Sequence, residues 1–163
     1  MTPMALDKSL IGREYGPFVY TLGAEKMREF ALAIGGAQPG AGTPGEPPPH
    51  VSPLLYDAQA AKAGPYGDLI AFPSFAVVFA IRPFSAALTD PQLGIQITNV
   101  VHGEQELEFL DVMRPGDVMT STGRIADIYE KARMGFIVVT SESRNQHGTV
   151  VVKGTWTGVV RNS

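Results

Sequence analysis

The sequence predicts an α+β fold in which an antiparallel sheet wraps around one long apolar helix, and three observations carry that prediction. Pro73 to Leu88 has the character of a helix that is apolar nearly all round, with Phe75, Ala76, Val77, Val78, Phe79, Ala80 and Ile81 in succession, and a helix without a polar face must be surrounded. From Val100 onward the period changes to two, so that Val100 to Phe109, Val118 to Tyr129, Gly135 to Arg144 and Thr149 to Val160 each read as a strand. The turn signals Met113-Arg114-Pro115-Gly116-Asp117 and Asn145-Gln146-His147-Gly148 separate strands, and such short connections imply antiparallel pairing.

The remaining elements follow in chain order. Gly16 to Thr21 reads as a short first strand. Gly23 to Ile34 places Met27, Phe30, Ala31 and Ile34 at helical spacing and stops at Gly35-Gly36. Ala37 to Pro53 is so rich in glycine and proline that neither helix nor strand fits, and its poverty in apolar side chains predicts a loop that is mobile without ligand. Leu54 to Ala63 resumes helical character until Gly64-Pro65-Tyr66-Gly67 breaks it. Pro73 suits the first turn of the central helix, whereas Pro83 inside the pattern should kink it or end its first half.

At 163 residues the chain reads as a single domain, residues 1–163, because the segment before the loop is too short for an independent core. A formal net charge of -3 with 18% charged residues leaves no basic stripe for nucleic acid. The most apolar run, Ala71 to Ile81, stops at Arg82-Pro83, and the start of the chain has no basic region leading into an apolar one, so neither a membrane span nor a signal peptide is expected. No cysteine is present, which excludes a disulfide framework, a thiolate nucleophile and a Cys-ligated metal, and a cytoplasmic protein is the expectation.

The segment from His102 to Asp117, His-Gly-Glu-Gln-Glu-Leu-Glu-Phe-Leu-Asp-Val-Met-Arg-Pro-Gly-Asp, reads as a strand, a tight turn and the start of a second strand. Together with the layout of the chain from Ile11 to Arg161, it resembles MaoC-type hydratases and dehydratases, in particular the branch of the FAS1-like dehydratase N-terminal domain. The resemblance implies a hot dog fold with five to six strands, and a homodimer or a heterodimer with a related subunit. It further implies hydration of an enoyl thioester or dehydration of a 3-hydroxyacyl thioester. Coenzyme A or acyl carrier protein would be the substrate carrier, with no other cofactor.

That chemistry needs a carboxylate and an imidazole, or an equivalent pair, to hold water and move its proton, together with N–H donors for the enolate-like oxygen. The family's Gly-Asp-x-Asn-Pro-x-His motif corresponds here to Pro49-His50-Val51-Ser52-Pro53-Leu54-Leu55, so its aspartate falls on His50, its asparagine on Ser52 and its histidine on Leu55. The family's Ala-His-Gly-Met stretch corresponds to Ala71-Phe72-Pro73-Ser74, and Pro73 has no N–H to offer an oxyanion; Ser74 or Phe75 would have to donate instead. Both catalytic positions are therefore substituted.

The candidate catalytic residues are His50, Asp57 and His102, and the candidate substrate-binding residues are Ser52, Tyr56, Ser74, Phe75 and Gln105. Asp57 reads first as an acidic residue favourably placed at the start of a short helix, with a carboxylate near the thioester site as the alternative. Strict alternation puts His102 with Glu104, Glu106 and Glu108 on one face, and Gln105 with Leu107 and Phe109 on the other, where an amide needs a partner or a ligand. His147 reads as a turn residue, Gly116 as a turn glycine, and Arg82 and Arg114 as solvated cations with an alternative role against carrier phosphates. No His and carboxylate grouping has metal-ligand spacing. Two functional classes compete: an enzyme using a rearranged set of residues, and a noncatalytic acyl-binding subunit paired with a catalytic one. A hot dog thioesterase, which would need a carboxylate near the start of the central helix, finds only Asp68 nearby.

Overall fold

The computed structural model describes residues 6–35 and 51–161. His50 and most of the glycine- and proline-rich loop lie outside the described residues. Strand β1 (Glu14–Thr21) leads into helix α1 (Ala24–Ile34), and a 3-10 turn at Pro53–Leu55 leads into helix α2 (Ala58–Ala63). A 3-10 turn at Pro73–Ala76, helix α3 (Val77–Ala80) and helix α4 (Arg82–Leu88) together form the central helical element. Strands β2 (Val100–Phe109), β3 (Val118–Lys131), β4 (Met134–Arg144) and β5 (Val150–Arg161) complete the chain, and the five strands form one antiparallel sheet in the order β1-β3-β4-β5-β2.

The central element is broken, not merely kinked. Pro83 occupies the second position of α4 and has no N–H to return to the preceding turn, so the helical ladder is interrupted at Ile81 and resumes with the Ser85 N–H on the Ile81 carbonyl at 3.0 Å. Its burial follows the sequence expectation: Phe75, Ala76, Phe79, Ala80, Phe84 and Ala87 are all buried against the sheet. Full burial of a phenylalanine contributes about 1.5–3 kcal/mol, so this row of aromatics is a principal source of cohesion.

Cross-strand register arranges the inner face of the sheet in rows. Ile125, Val139, Trp156 and Gln105 form one row, and Gly123, Ser141, Gly154 and Leu107 form the next. A Cβ on Gly123 would fall 2.6 Å from Cβ of Pro83, so only glycine admits the helix this close. Small hydroxyls fill the same region and satisfy each other: the Ser121 and Ser143 hydroxyls lie 2.7 Å apart, and the Trp156 indole donates to Ser141 Oγ at 2.8 Å. Among the described residues no buried side-chain nitrogen or oxygen lacks a partner, as the cost of an unpaired buried polar group requires.

Candidate functional site

Residues 51–57 pack beside α1 and against Ile70, in the segment that leads into the central element. Val51 returns against the end of α1, where a Cβ on Gly35 would meet Val51 Cγ2 at 1.8 Å. The Ile70 N–H donates to the Leu54 carbonyl at 3.3 Å, and Arg28 Nε donates to the Tyr56 carbonyl at 2.8 Å. Ser52 Oγ accepts from the Leu54 N–H at 3.4 Å, and Asp57 Oδ1 accepts from the N–H groups of Gln59 and Ala60 at 2.9 and 3.1 Å. The Asp57 carboxylate is thus engaged as the cap of α2, where it satisfies donors that the helix start leaves open. Leu55, at the position matched to the family's histidine, is a buried apolar side chain.

The start of the central element offers less than the sequence suggests. Phe75 is fully buried, packed edge-on against Phe30 with centroids 5.3 Å apart and beside Tyr20 at 6.4 Å, so its side chain belongs to the core and lines no open cleft. Its N–H is already donated to the Phe72 carbonyl at 2.8 Å. Ser74 is half-buried and sits between these two anchored residues.

Strand β2 departs from the expected alternation. A bulge between His102 and Glu104 interrupts the pairing with β5, so His102 pairs with Gly158 and Gln105 with Trp156, both on the inner face. His102 therefore leaves the glutamate row and joins Gln105, Leu107 and Phe109. Its ring lies 5.4 Å from that of Phe84 and 6.0 Å from that of Trp156. Both His102 and Gln105 are exposed in the single chain, because the helix covers the middle of the sheet and not this margin. The available signal was Gly103: an isolated glycine inside a strand marks a bulge or a close backbone approach, and a Cβ there would lie 2.6 Å from Val159 Cγ2.

Among the described candidates, which exclude His50, Asp57 is not joined to His102 or Gln105 in one constellation. Asp57 caps α2 beside the Tyr56 carbonyl that Arg28 of α1 holds, whereas His102 lies against Phe84 of α4. No hydrogen bond or ion pair joins Asp57, His102 and Gln105 among the described residues.

Two features escaped the sequence reading. Asp90, buried just beyond α4, accepts from the Tyr15 hydroxyl at 2.9 Å, pairs with Arg13 Nε at 2.9 Å and caps Gln92 at 2.9 Å, while Arg13 Nη1 also donates to Gln92 Oε1. The Gln92 N–H, then the Tyr15 hydroxyl and Arg13, hold the Asp90 carboxyl below its ordinary range, against a contrary push from burial. Burial, followed by the bond to Asp90, pushes the Tyr15 phenol up to about 12. The second feature is a groove of about 730 Å³ on the outer face of the sheet, away from the helix, lined by Glu14, Glu106, Glu108, Arg124, Glu142 and Lys153 among others. Among the described residues no group of three or more His, Cys, Asp or Glu is placed to hold a metal ion, and no helix is long and apolar enough to cross a membrane.

A sheet wrapped on a central helix with this strand order is the hot dog fold, and solved structures share it. The HadBC (3R-hydroxyacyl-ACP dehydratase) complex from Mycobacterium tuberculosis superposes with a TM-score of 0.72 over 92% of this chain and 96% of that one, at 19% identity. The MaoC-like dehydratase from Rhodospirillum rubrum gives 0.65 over 94% and 93%, at 20% identity. At these identities the likeness shows the fold alone. The chain belongs to the family described as FAS1-like, dehydratase domain region, whose model matches residues 9–154. A UPF0336 protein of Saccharopolyspora erythraea is 38% identical over 161 residues, covering 98% of this chain and 94% of the relative. A second UPF0336 protein, from Streptomyces coelicolor, is 37% identical over 158 residues, covering 96% and 95%.

Proposed function

We propose that this chain is the acyl-binding, noncatalytic subunit of a 3-hydroxyacyl-thioester dehydratase or enoyl-thioester hydratase, acting in the cytoplasm beside a MaoC-type subunit that carries the acid and base. The observation that carries this reading is the fate of the motif positions. Where the family places its histidine stands buried Leu55, and the nearest carboxylate, Asp57, is spent on two backbone N–H groups of α2. A carboxylate so placed already has a structural task, holding the first turn of α2. The inner margin of β2, with His102, Gln105, Leu107 and Phe109, supplies an apolar strip with two polar groups, the usual make-up of a surface that holds an acyl chain and orients it. The carrier in this reading is coenzyme A or acyl carrier protein, and the bond made or broken is the one between water and the β-carbon of the thioester.

The competing reading, catalysis by this chain alone through His50, Asp57 and His102, is separated by hydration of crotonyl-CoA and longer enoyl-CoAs. The assay is run with the purified chain and then with a MaoC-type subunit added. The expected result is no turnover alone and turnover from the pair. In the pair, His50→Ala and Asp57→Asn should leave kcat within a few-fold. A loss of about 100-fold or more, the scale of lost general acid/base assistance, would return these residues to catalysis. Asp57→Asn is chosen because it removes the ionisable carboxyl while the isosteric amide oxygen keeps the helix cap that an alanine would remove at a cost of about 1 kcal/mol.

A further inference from the structure

Strand β2 stands at the margin of the sheet with β5 as its only neighbour among the described residues, so one side of its ten-residue backbone is unpaired. Its inner face offers half-buried Leu107 and exposed Phe109. Downstream of the bulge its outer face carries Glu104, Glu106 and Glu108 at alternate positions, opposite Thr157, Thr155 and Lys153 of β5. Among the described residues, then, only Glu108 faces a cation directly across the sheet, and none of the three glutamates makes an ion pair.

We propose that β2 is a charge-selective pairing edge: it accepts a partner strand with lysine, arginine or uncharged residues at the alternate positions facing Glu104, Glu106 and Glu108, and it rejects a second copy of itself. The proposal rests on the reading that this chain works beside a partner subunit, and it names the chemistry of that partner's edge. The argument is one of geometry. Two copies joined antiparallel through β2, with both central helices on one side of the joint sheet, place outer-face residues opposite outer-face residues. A two-fold axis at Glu106 sets Glu106 against its counterpart and Glu104 against Glu108; an axis at Gln105 sets Glu104 against Glu106. Like charges directly opposite across a ladder are destabilising, whereas opposite charges in the same positions are favourable. A partner with basic residues at those positions turns every such contact from repulsion to attraction, while Leu107 and Phe109 supply the apolar burial that any partner would use. The row thus works against the self-pairing that an open strand edge otherwise invites.

The probe is a charge-reversed copy of this chain, Glu104→Lys with Glu106→Lys and Glu108→Lys, all at exposed positions. Sedimentation velocity at micromolar concentration and low salt should show the native chain and the reversed chain each poorly associated and their mixture dimeric. The mixed pair should be about tenfold or more tighter than either self-pair, with the preference shrinking in 0.5 M salt as the charges are screened. The neutral variant, Glu104→Gln with Glu106→Gln and Glu108→Gln, should self-associate more than the native chain and show little salt dependence, which keeps the test decisive if the lysine variant folds poorly. A mixture no tighter than the native self-pair, together with a neutral variant that stays monomeric, overturns the proposal. If a MaoC-type subunit restores turnover while the charge-reversed copy fails to pair, the charge selection falls and the functional reading stands.

Discussion

The two margins of the sheet differ in how they end it. Strand β1 is tied at both ends: the Gly12 N–H donates to the Ile125 carbonyl at 2.8 Å and the Leu22 N–H to the Asp117 carbonyl at 2.8 Å. Its register with β3 shifts between Tyr15 and Phe18, where Pro17 has no N–H to offer any neighbour. Tyr15 and Arg13 are anchored to Asp90, 75 residues away from Tyr15, and both α3 and α4 pack against the strand. Strand β2 runs for ten residues without a proline, is held by β5, and leaves eight of its ten residues exposed. Each margin strand has one paired neighbour among the described residues, but one is closed off by anchored ends and a proline and the other is left available. Both carry a bulge, yet with opposite effect: at β1 it interrupts the edge, while at β2 it gathers His102 and Gln105 onto one face.

The comparison is broken most forcefully at the closed margin. Asp90→Ala removes the acceptor of the Tyr15 hydroxyl, the partner of Arg13 and the cap on Gln92. Lost bonds to a charged group and a lost cap, discounted because Arg13 is partly exposed, suggest about 2–3 kcal/mol. For a domain of this size that lowers the melting temperature by roughly 5–10 °C, readable by calorimetry. Pairing with a partner subunit should be unchanged when measured well below the transition. If Asp90→Ala instead weakens pairing with little loss of stability, the assignment of the two margins is reversed.

How much of this contrast was legible in the sequence depends on the range of the interaction involved. The wholly apolar run at Phe75 to Ile81 and the period of two after Val100 are local signals, and the architecture follows from them because each admits few ways of burying its apolar side. The strand limits needed only small extension, to Glu14 for β1 and to Lys131 for β3. The face of His102 was not legible by alternation, because a bulge is a property of two paired strands and its cause, the approach of Val159 to Gly103, lies more than fifty residues away in sequence. The Asp90 anchor was missed for the same reason. For the site, Asp57 was legible as a helix cap from its place before Ala58, whereas the full burial of Phe75 was not, because apolarity does not say whether a side chain faces a ligand or the core.

A smaller effect at β1 sharpens the point with pH. The folded state holds the Tyr15 phenol up to about 12, above the ordinary value near 10, so the neutral form is the one the fold favours. That contribution is fully present below about pH 10 and is lost as the pH rises through 12. Tyr15→Phe should cost about 1 kcal/mol at neutral pH through the missing bond to Asp90. Between pH 10 and 12 the native chain should lose about 1 kcal/mol more than the variant, an amount reduced for the partial exposure of Tyr15. Urea midpoints at pH 9 and pH 11.5 measure the difference, and parallel losses in the two proteins would deny Tyr15 this role.

The smallest effect on stability belongs to the open margin, and there the comparison is tested by what does not change. Gln105 is exposed on the inner face opposite Trp156, and its amide makes no hydrogen bond among the described residues, so Gln105→Leu removes no bond and leaves no buried polar atom unpaired. The stability of the isolated chain should stay within about 0.5 kcal/mol of the native value. In the assembled pair the same change replaces a polar group with an apolar one beside Leu107 and Phe109. If this strip holds the acyl chain, the preference of kcat/KM should move toward longer, unbranched enoyl-CoAs by about five- to tenfold, the lower end of the about 1–3 kcal/mol that one methylene in an apolar pocket is worth. A stability loss as large as that of Asp90→Ala would mean that Gln105 is a structural residue like those of β1. Unchanged stability with unchanged chain-length preference would place the acyl chain elsewhere in the pair.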